Sequence, residues 1–130
     1  YPYLKDITEE LHAYNIRVSL FVNAEEKYIE AAAKTGTDRI EIYTGKFSHD
    51  FYKDPGKAVQ AHIRCAALAD HLGMGVNAGH DLNLDNLSYY RKHVKPLHEV
   101  SIGHALISDA LYYGLQNTIQ MYKRQLIEFQ

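Results

Sequence analysis

The 130-residue sequence has no tryptophan, a single cysteine, only three prolines and no apolar run near the ~20 residues that a bilayer span needs. One cysteine, Cys65, excludes an internal disulfide framework and fits a reducing compartment. Set in Ile63-Arg64-Cys65-Ala66-Ala67-Leu68, it reads as a buried, inert thiol. Basic charge is not in excess either: 14 lysines and arginines face 16 acids, for a net charge of -2, so no basic stripe marks a nucleic-acid partner. Small anions can still be held by local backbone amides. The opening Tyr1-Pro2-Tyr3 lacks the charged-then-apolar order of a signal peptide, and we expect a cytoplasmic protein with no membrane contact. The chain starts without methionine and directly in a helical pattern, which leads us to expect a missing upstream segment.

What is present is a regular alternation. With 46% hydrophobic residues the chain can bury one core, and no low-complexity linker divides it. Leu4, Ile7, Leu11 and Tyr14 recur at helical spacing. Strands follow at Arg17 to Val22, Arg39 to Tyr43, Met74 to Asn77 and Glu99 to Ile102, each trailed by a helix. Asn23 is expected to cap the helix that carries Glu25 and Glu26 in its first turn, and Gly36 to end it. Thr44-Gly45-Lys46 to Tyr52 reads as a loop. Asp54-Pro55 then starts a long helix that Gly73 stops, and Leu84 to about Val94 is the next helix, closed by Pro96. A final helical region is expected from Ser108 towards Gln130, broken at Gly114. Strands alternating with helices imply parallel pairing through right-handed crossovers. The fold class is therefore α/β: a small doubly wound sheet, or about four βα units of a (β/α)8 TIM barrel. A whole barrel takes ~250 residues, so the second reading means a half-barrel with two open strand edges.

In such folds ligands gather at the carboxyl ends of the strands, where loops and helix N-termini converge. The third end offers Val76-Asn77-Ala78-Gly79-His80-Asp81, and the fourth offers Ser101-Ile102-Gly103-His104. The imidazole of His80 is suited to hand a proton to a leaving oxygen. Glu41 lies between Ile40 and Ile42, which face the helices, so its carboxylate points to the barrel interior and needs a partner there. The plainer alternative is an ion pair with Arg17 or Arg39. Gly103 and His104 open a turn into the last helical region, where backbone N–H groups can approach an anion. Asp81 either caps its turn or holds ligand directly. His49, His62, His71, His93 and His98 read as solvated or packing residues, and the pairs Tyr89-Tyr90 and Tyr112-Tyr113 as packing or subunit contacts.

Arg17-Val18-Ser19-Leu20-Phe21-Val22, Ile40-Glu41-Ile42-Tyr43-Thr44-Gly45, Val76-Asn77-Ala78-Gly79-His80 and Ile102-Gly103-His104-Ala105 together resemble the last four strand ends of the pyridoxine 5′-phosphate synthase family. The resemblance runs in order across nearly the whole chain, and the joint occurrence of Asn-Ala-Gly-His and Ile-Gly-His-Ala makes it specific. It implies a (β/α)8 barrel of which this chain is the C-terminal half. The implied reaction condenses 1-deoxy-D-xylulose 5-phosphate with 3-amino-2-oxopropyl phosphate, without metal or organic cofactor, in a homo-oligomer, an octamer by resemblance. By the same resemblance His80 is the proton donor and Glu41 the carboxylate that stabilises transition-state charge. Asp81, Gly103 and His104 would hold the amino-oxopropyl phosphate, mainly through backbone groups. The family's other acid-base and substrate-binding residues belong to strands absent from these 130 residues, so the fragment alone is expected to be inactive. Three further readings compete. His80, Asp81, Glu41 and His104 could ligate a divalent metal in a hydrolase. Lys46 could form a Schiff base. A non-catalytic half-barrel could bind phosphate.

Overall fold

The computed structural model describes residues 2–127. Helix α1 (Pro2–Ala13) precedes four strands, β1 (Ser19–Val22), β2 (Arg39–Tyr43), β3 (Gly75–His80) and β4 (Glu99–Ile102). Between and after them run α2 (Glu26–Ala33), α3 (Gly45–Phe51), α4 (Pro55–His71), α5 (Leu87–His93), α6 (His104–Tyr113) and α7 (Leu115–Gln125). The strands form one sheet in the order β1-β2-β3-β4, every pair parallel. The register sets Phe21 beside Glu41, Glu41 beside Asn77 and Asn77 beside Glu99.

That sequential order departs from a doubly wound sheet. A doubly wound sheet reverses strand order at a switch point and carries helices on both faces. Here each strand is added next to the last, and the helices pack on one another along a single face: α2 on β1 and α4, α4 on β3 and α5, α5 on α7. Ile40, Ile42, Val76 and Ala78 point into this helical layer and are fully buried with Ile29, Val59, Ala66 and Leu87. The arrangement is α/β and consistent with half of a TIM-type barrel. The opposite sheet face is uncovered, and on it Phe21 is 58% exposed.

Local chemistry accounts for most boundaries. Asp54 caps α4 by accepting the Lys57 amide at 3.0 Å, Pro55 takes the first helical position, and Gly73, at φ 79°, ends the segment in a conformation that disfavours a Cβ. Some boundaries differ from expectation. Asn23 does not cap α2; the N-cap is Glu25, which makes no side-chain capping bond and pairs instead with the Lys27 ammonium at 2.7 Å. The stretch after Thr44 is helix α3 and not loop, because Phe47 is buried against Tyr90 and His62, at ring separations of 4.9 and 5.7 Å. β3 runs on to His80, since its ladders with β2 and β4 hold Ala78 and Gly79. α5 begins later because Asn83 and Asn86 bond each other's backbone amides in a turn. α6 starts directly after Gly103, ahead of the expected Ser108, and the far end of the expected closing helix, residues 128–130, lies outside the described residues.

Candidate active site at the strand carboxyl ends

Alternation along β2 sends Glu41 to the uncovered sheet face, opposite Ile40 and Ile42. The ion pairs that could have neutralised it go elsewhere. Arg17 donates to both oxygens of Glu99 at 3.0 Å, and Arg39 reaches Glu99 at 3.4 Å and the Asn77 side-chain Oδ1 at 3.0 Å. Asn77 completes this lower layer by donating to Glu99 at 3.1 Å. Glu41 keeps one hydrogen bond, accepted from the Ser101 hydroxyl at 3.3 Å, and no ion pair among the described residues. It leans over Gly79: a Cβ there would sit 2.6 Å from the Glu41 Oε1 and 2.6 Å from the Ser101 carbonyl oxygen. Gly79 is thus the gap that admits the carboxylate, immediately before His80.

His80 shares the strand parity of Val76 and Ala78, which would direct it into the helical layer. Its φ of 88° breaks that parity and turns the ring to the mouth of the sheet. There it is exposed, with its ring 5.8 Å from that of Tyr43 and 6.0 Å from that of His104. The Asp81 carboxylate lies 3.0 Å from the His80 Nδ1, which leaves Nε2 for a ligand. Asp81 is itself fixed through its backbone. Its amide donates to the Thr44 hydroxyl at 3.1 Å, its carbonyl accepts from Ser48, and the buried Thr44 hydroxyl donates to the Gly79 carbonyl. The ends of β2 and β3 are clamped together by these bonds.

Gly103 is the N-cap residue of α6 and His104 its first helical residue, with no side chain capping the amides of that turn. The free N–H groups of a ten-residue helix therefore open beside His80, where an anion is favoured. The fold brings together His80, Asp81 and His104, with Glu41 reaching in over Gly79. It does not bring Lys46, whose side chain is 89% exposed and paired with Asp50 at 2.8 Å. No three His, Cys, Asp or Glu side chains among the described residues converge as a metal ion requires. Among those residues, too, no helix is long and apolar enough to cross a membrane.

The sequence reading did not single out Tyr43 or Ser101, nor the pairing of Asp81 with His80. Tyr43 and Ser101 share the parity of Glu41 and Gly79 and so lie on the same face, a signal that register supplies once the pairing is known.

A parallel sheet with helices on one face, and ionisable groups gathered at the strand carboxyl ends, defines an α/β protein of the kind that keeps its active site at that end. Comparison with known proteins narrows this class. The family model described as "Pyridoxal phosphate biosynthesis protein PdxJ" matches residues 1–128, and the chain belongs to that family. It is 53% identical over 124 residues to the pyridoxine 5′-phosphate synthase of Christiangramia forsetii, covering 95% of this chain and 52% of that protein. With the enzyme of the same name from Porphyromonas gingivalis it shares 52% over 126 residues, 97% of this chain and 53% of the relative. The corresponding protein of Parabacteroides distasonis gives 51% over 123 residues, 95% and 52%. The chain spans about half the length of these curated relatives.

Proposed function

We propose that this chain supplies four βα units of a pyridoxine 5′-phosphate synthase. The enzyme would condense 1-deoxy-D-xylulose 5-phosphate with 3-amino-2-oxopropyl phosphate, releasing phosphate and water as the pyridine ring closes. The observation that carries the reading is the set of groups at one sheet mouth: His80 held by Asp81, His104 at 6.0 Å, and a Glu41 carboxylate left without an ion pair. His80, anchored through Nδ1, presents Nε2 as the proton donor to a departing oxygen. Glu41, on the face that would line the barrel, stabilises positive charge developing in the ring-forming steps. Gly103 and His104 hold a substrate phosphate with the amides of α6, and Asp81 positions His80 with its side chain while its backbone borders the same site.

The chain is read as the C-terminal half of its barrel, lacking the units that bring the remaining acid-base and substrate-binding groups. Peptide mapping of the full-length protein tests this: additional sequence before Tyr1 is expected, and additional barrel sequence after Gln130 instead would overturn it. The parent enzyme is read as cytoplasmic and homo-oligomeric, acting on small phosphates without metal or organic cofactor. The outward Leu111 and Tyr112 of α6 offer apolar surface for subunit contact. Given both substrates, the full-length protein should form pyridoxine 5′-phosphate, whereas residues 1–130 alone should form none. His80→Asn keeps the shape of the site and should lower turnover by about 10² to 10⁴. A folded full-length protein without product would overturn the assignment, and an unchanged rate in His80→Asn would remove His80 from the rate-limiting chemistry.

A further inference from the structure

A cavity of about 730 Å³ opens between the turn after β1 and the outer ends of α3 and α4. Its wall includes Tyr43, whose ring also neighbours those of Phe21 and His80, so the cavity adjoins the strand-end site, while neither His80 nor His104 is among its lining. Lys46, Lys53 and Lys57 stand around it, with Ala58 and Ala61 between, and His62 is part of its lining. The volume falls within the roughly 300 to 1,000 Å³ typical of small-molecule sites.

His62 is the unusual member. The residue is 2% exposed, and its Nδ1 lies 2.9 Å from the hydroxyl of the fully buried Tyr90. That hydroxyl meets no other acceptor among the described residues, so Tyr90 donates, Nδ1 accepts, and the ring proton sits on Nε2. No buried side-chain nitrogen or oxygen among the described residues lacks a partner. The Nε2 has none, so it is the part of His62 that reaches the open cavity. Burial pushes the imidazole down to about 4, which keeps the ring neutral and Nε2–H a donor at neutral pH.

Three carboxylates also line the cavity, Glu25, Asp50 and Asp54, and each is already engaged. Asp50 pairs with Lys46, Asp54 accepts the α4 amide and lies 3.7 Å from the Lys57 ammonium, and Glu25 pairs with Lys27. Lys53 has no ion pair among the described residues. A fixed neutral donor inside, and at the rim a Lys53 ammonium that acts on Asp50 only through its charge, are complementary to an oxyanion.

We propose that this cavity is a second ligand site, distinct from the strand-end histidine site, which takes a small organic phosphate or carboxylate through His62 Nε2–H, Lys53 and Lys57. The proposal is independent of the synthase reading. Calorimetric titration of the full-length protein with phenyl phosphate tests it, with benzoate run in parallel to separate phosphate from carboxylate as the preferred head group. Lys53→Gln/Lys57→Gln, both exposed changes, should weaken one class of sites about tenfold, while His80→Asn leaves that class intact. His62→Phe should weaken it similarly, with circular dichroism checking the fold; if that variant does not fold, the lysine pair carries the test. Isotherms for both anions that are the same in wild type and the lysine variant would overturn the proposal. So would binding that disappears altogether in His80→Asn.

Discussion

His62 shows how much one side chain's surroundings can settle. Its imidazole ordinarily titrates near 6.5, and burial lowers this to about 4 in the fold. Between these values the unfolded chain binds a proton that the folded one refuses, so stability is full above pH 6.5 and is lost as pH falls towards 4. The loss is on the order of 3 kcal/mol. Urea midpoints between pH 7 and 4.5 should fall steeply in the wild type and less so in His62→Gln; parallel slopes would exclude His62 as the source. Gly79 is a second residue-scale case. Gly79→Ala would push a methyl group to 2.6 Å from Glu41 and from the Ser101 carbonyl, one of them backbone that cannot swing aside. We expect it to displace Glu41 and to reduce full-length turnover about as much as Glu41→Gln does, which steady-state rates of the two variants would check. Cys65, whose thiol burial pushes up to about 11, should stay unlabelled by iodoacetamide at pH 7.5 until the protein is unfolded.

At the scale of elements, α3 and α4 repay comparison. Every start signal of α4 is local: Asp54 as cap, Pro55 behind it and apolar residues at helical spacing. Asp54→Ala should therefore cost about 1 kcal/mol in chemical denaturation. α3 has no such signal. Its seven residues, GKFSHDF, read as a loop, and they are helical because Phe47 packs on His62 of the following helix and on the more distant Tyr90 of α5. Phe47→Ala should destabilise by about 3 to 5 kcal/mol, an outcome tied to packing and not to helix propensity. A loss under ~1 kcal/mol would mean that α3 is held by its own backbone.

For the whole molecule, the uncovered sheet face and the outer edges of β1 and β4 are the dominant features. A parallel sheet is ordinarily covered on both faces, and unpaired strand edges invite association. Residues 1–130 expressed alone should therefore self-associate in sedimentation runs at rising concentration. A fragment that stays monomeric throughout would show that its edges do not pair.

The existence of four strands and their parallel pairing were legible in the amino-acid sequence, whereas their order in the sheet was not. Alternation, helical spacing and capping are local signals, and β2 and β4 fall where they place them. The placement of Glu41 opposite Ile40 and Ile42 follows from the same local rule. Tertiary structure alone decided that Arg17 and Arg39 would satisfy Glu99 and leave Glu41 without an ion pair. It also turned His80 out of its strand parity, gave Asp81 the task of holding it, and put the His62 donor at a lysine-rimmed cavity. The choice of Glu99 by Arg17 and Arg39, and the bond that holds His62 to Tyr90, rest on contacts between residues tens of positions apart. No local period records such contacts, because the competition among partners is resolved only when the strands come into register.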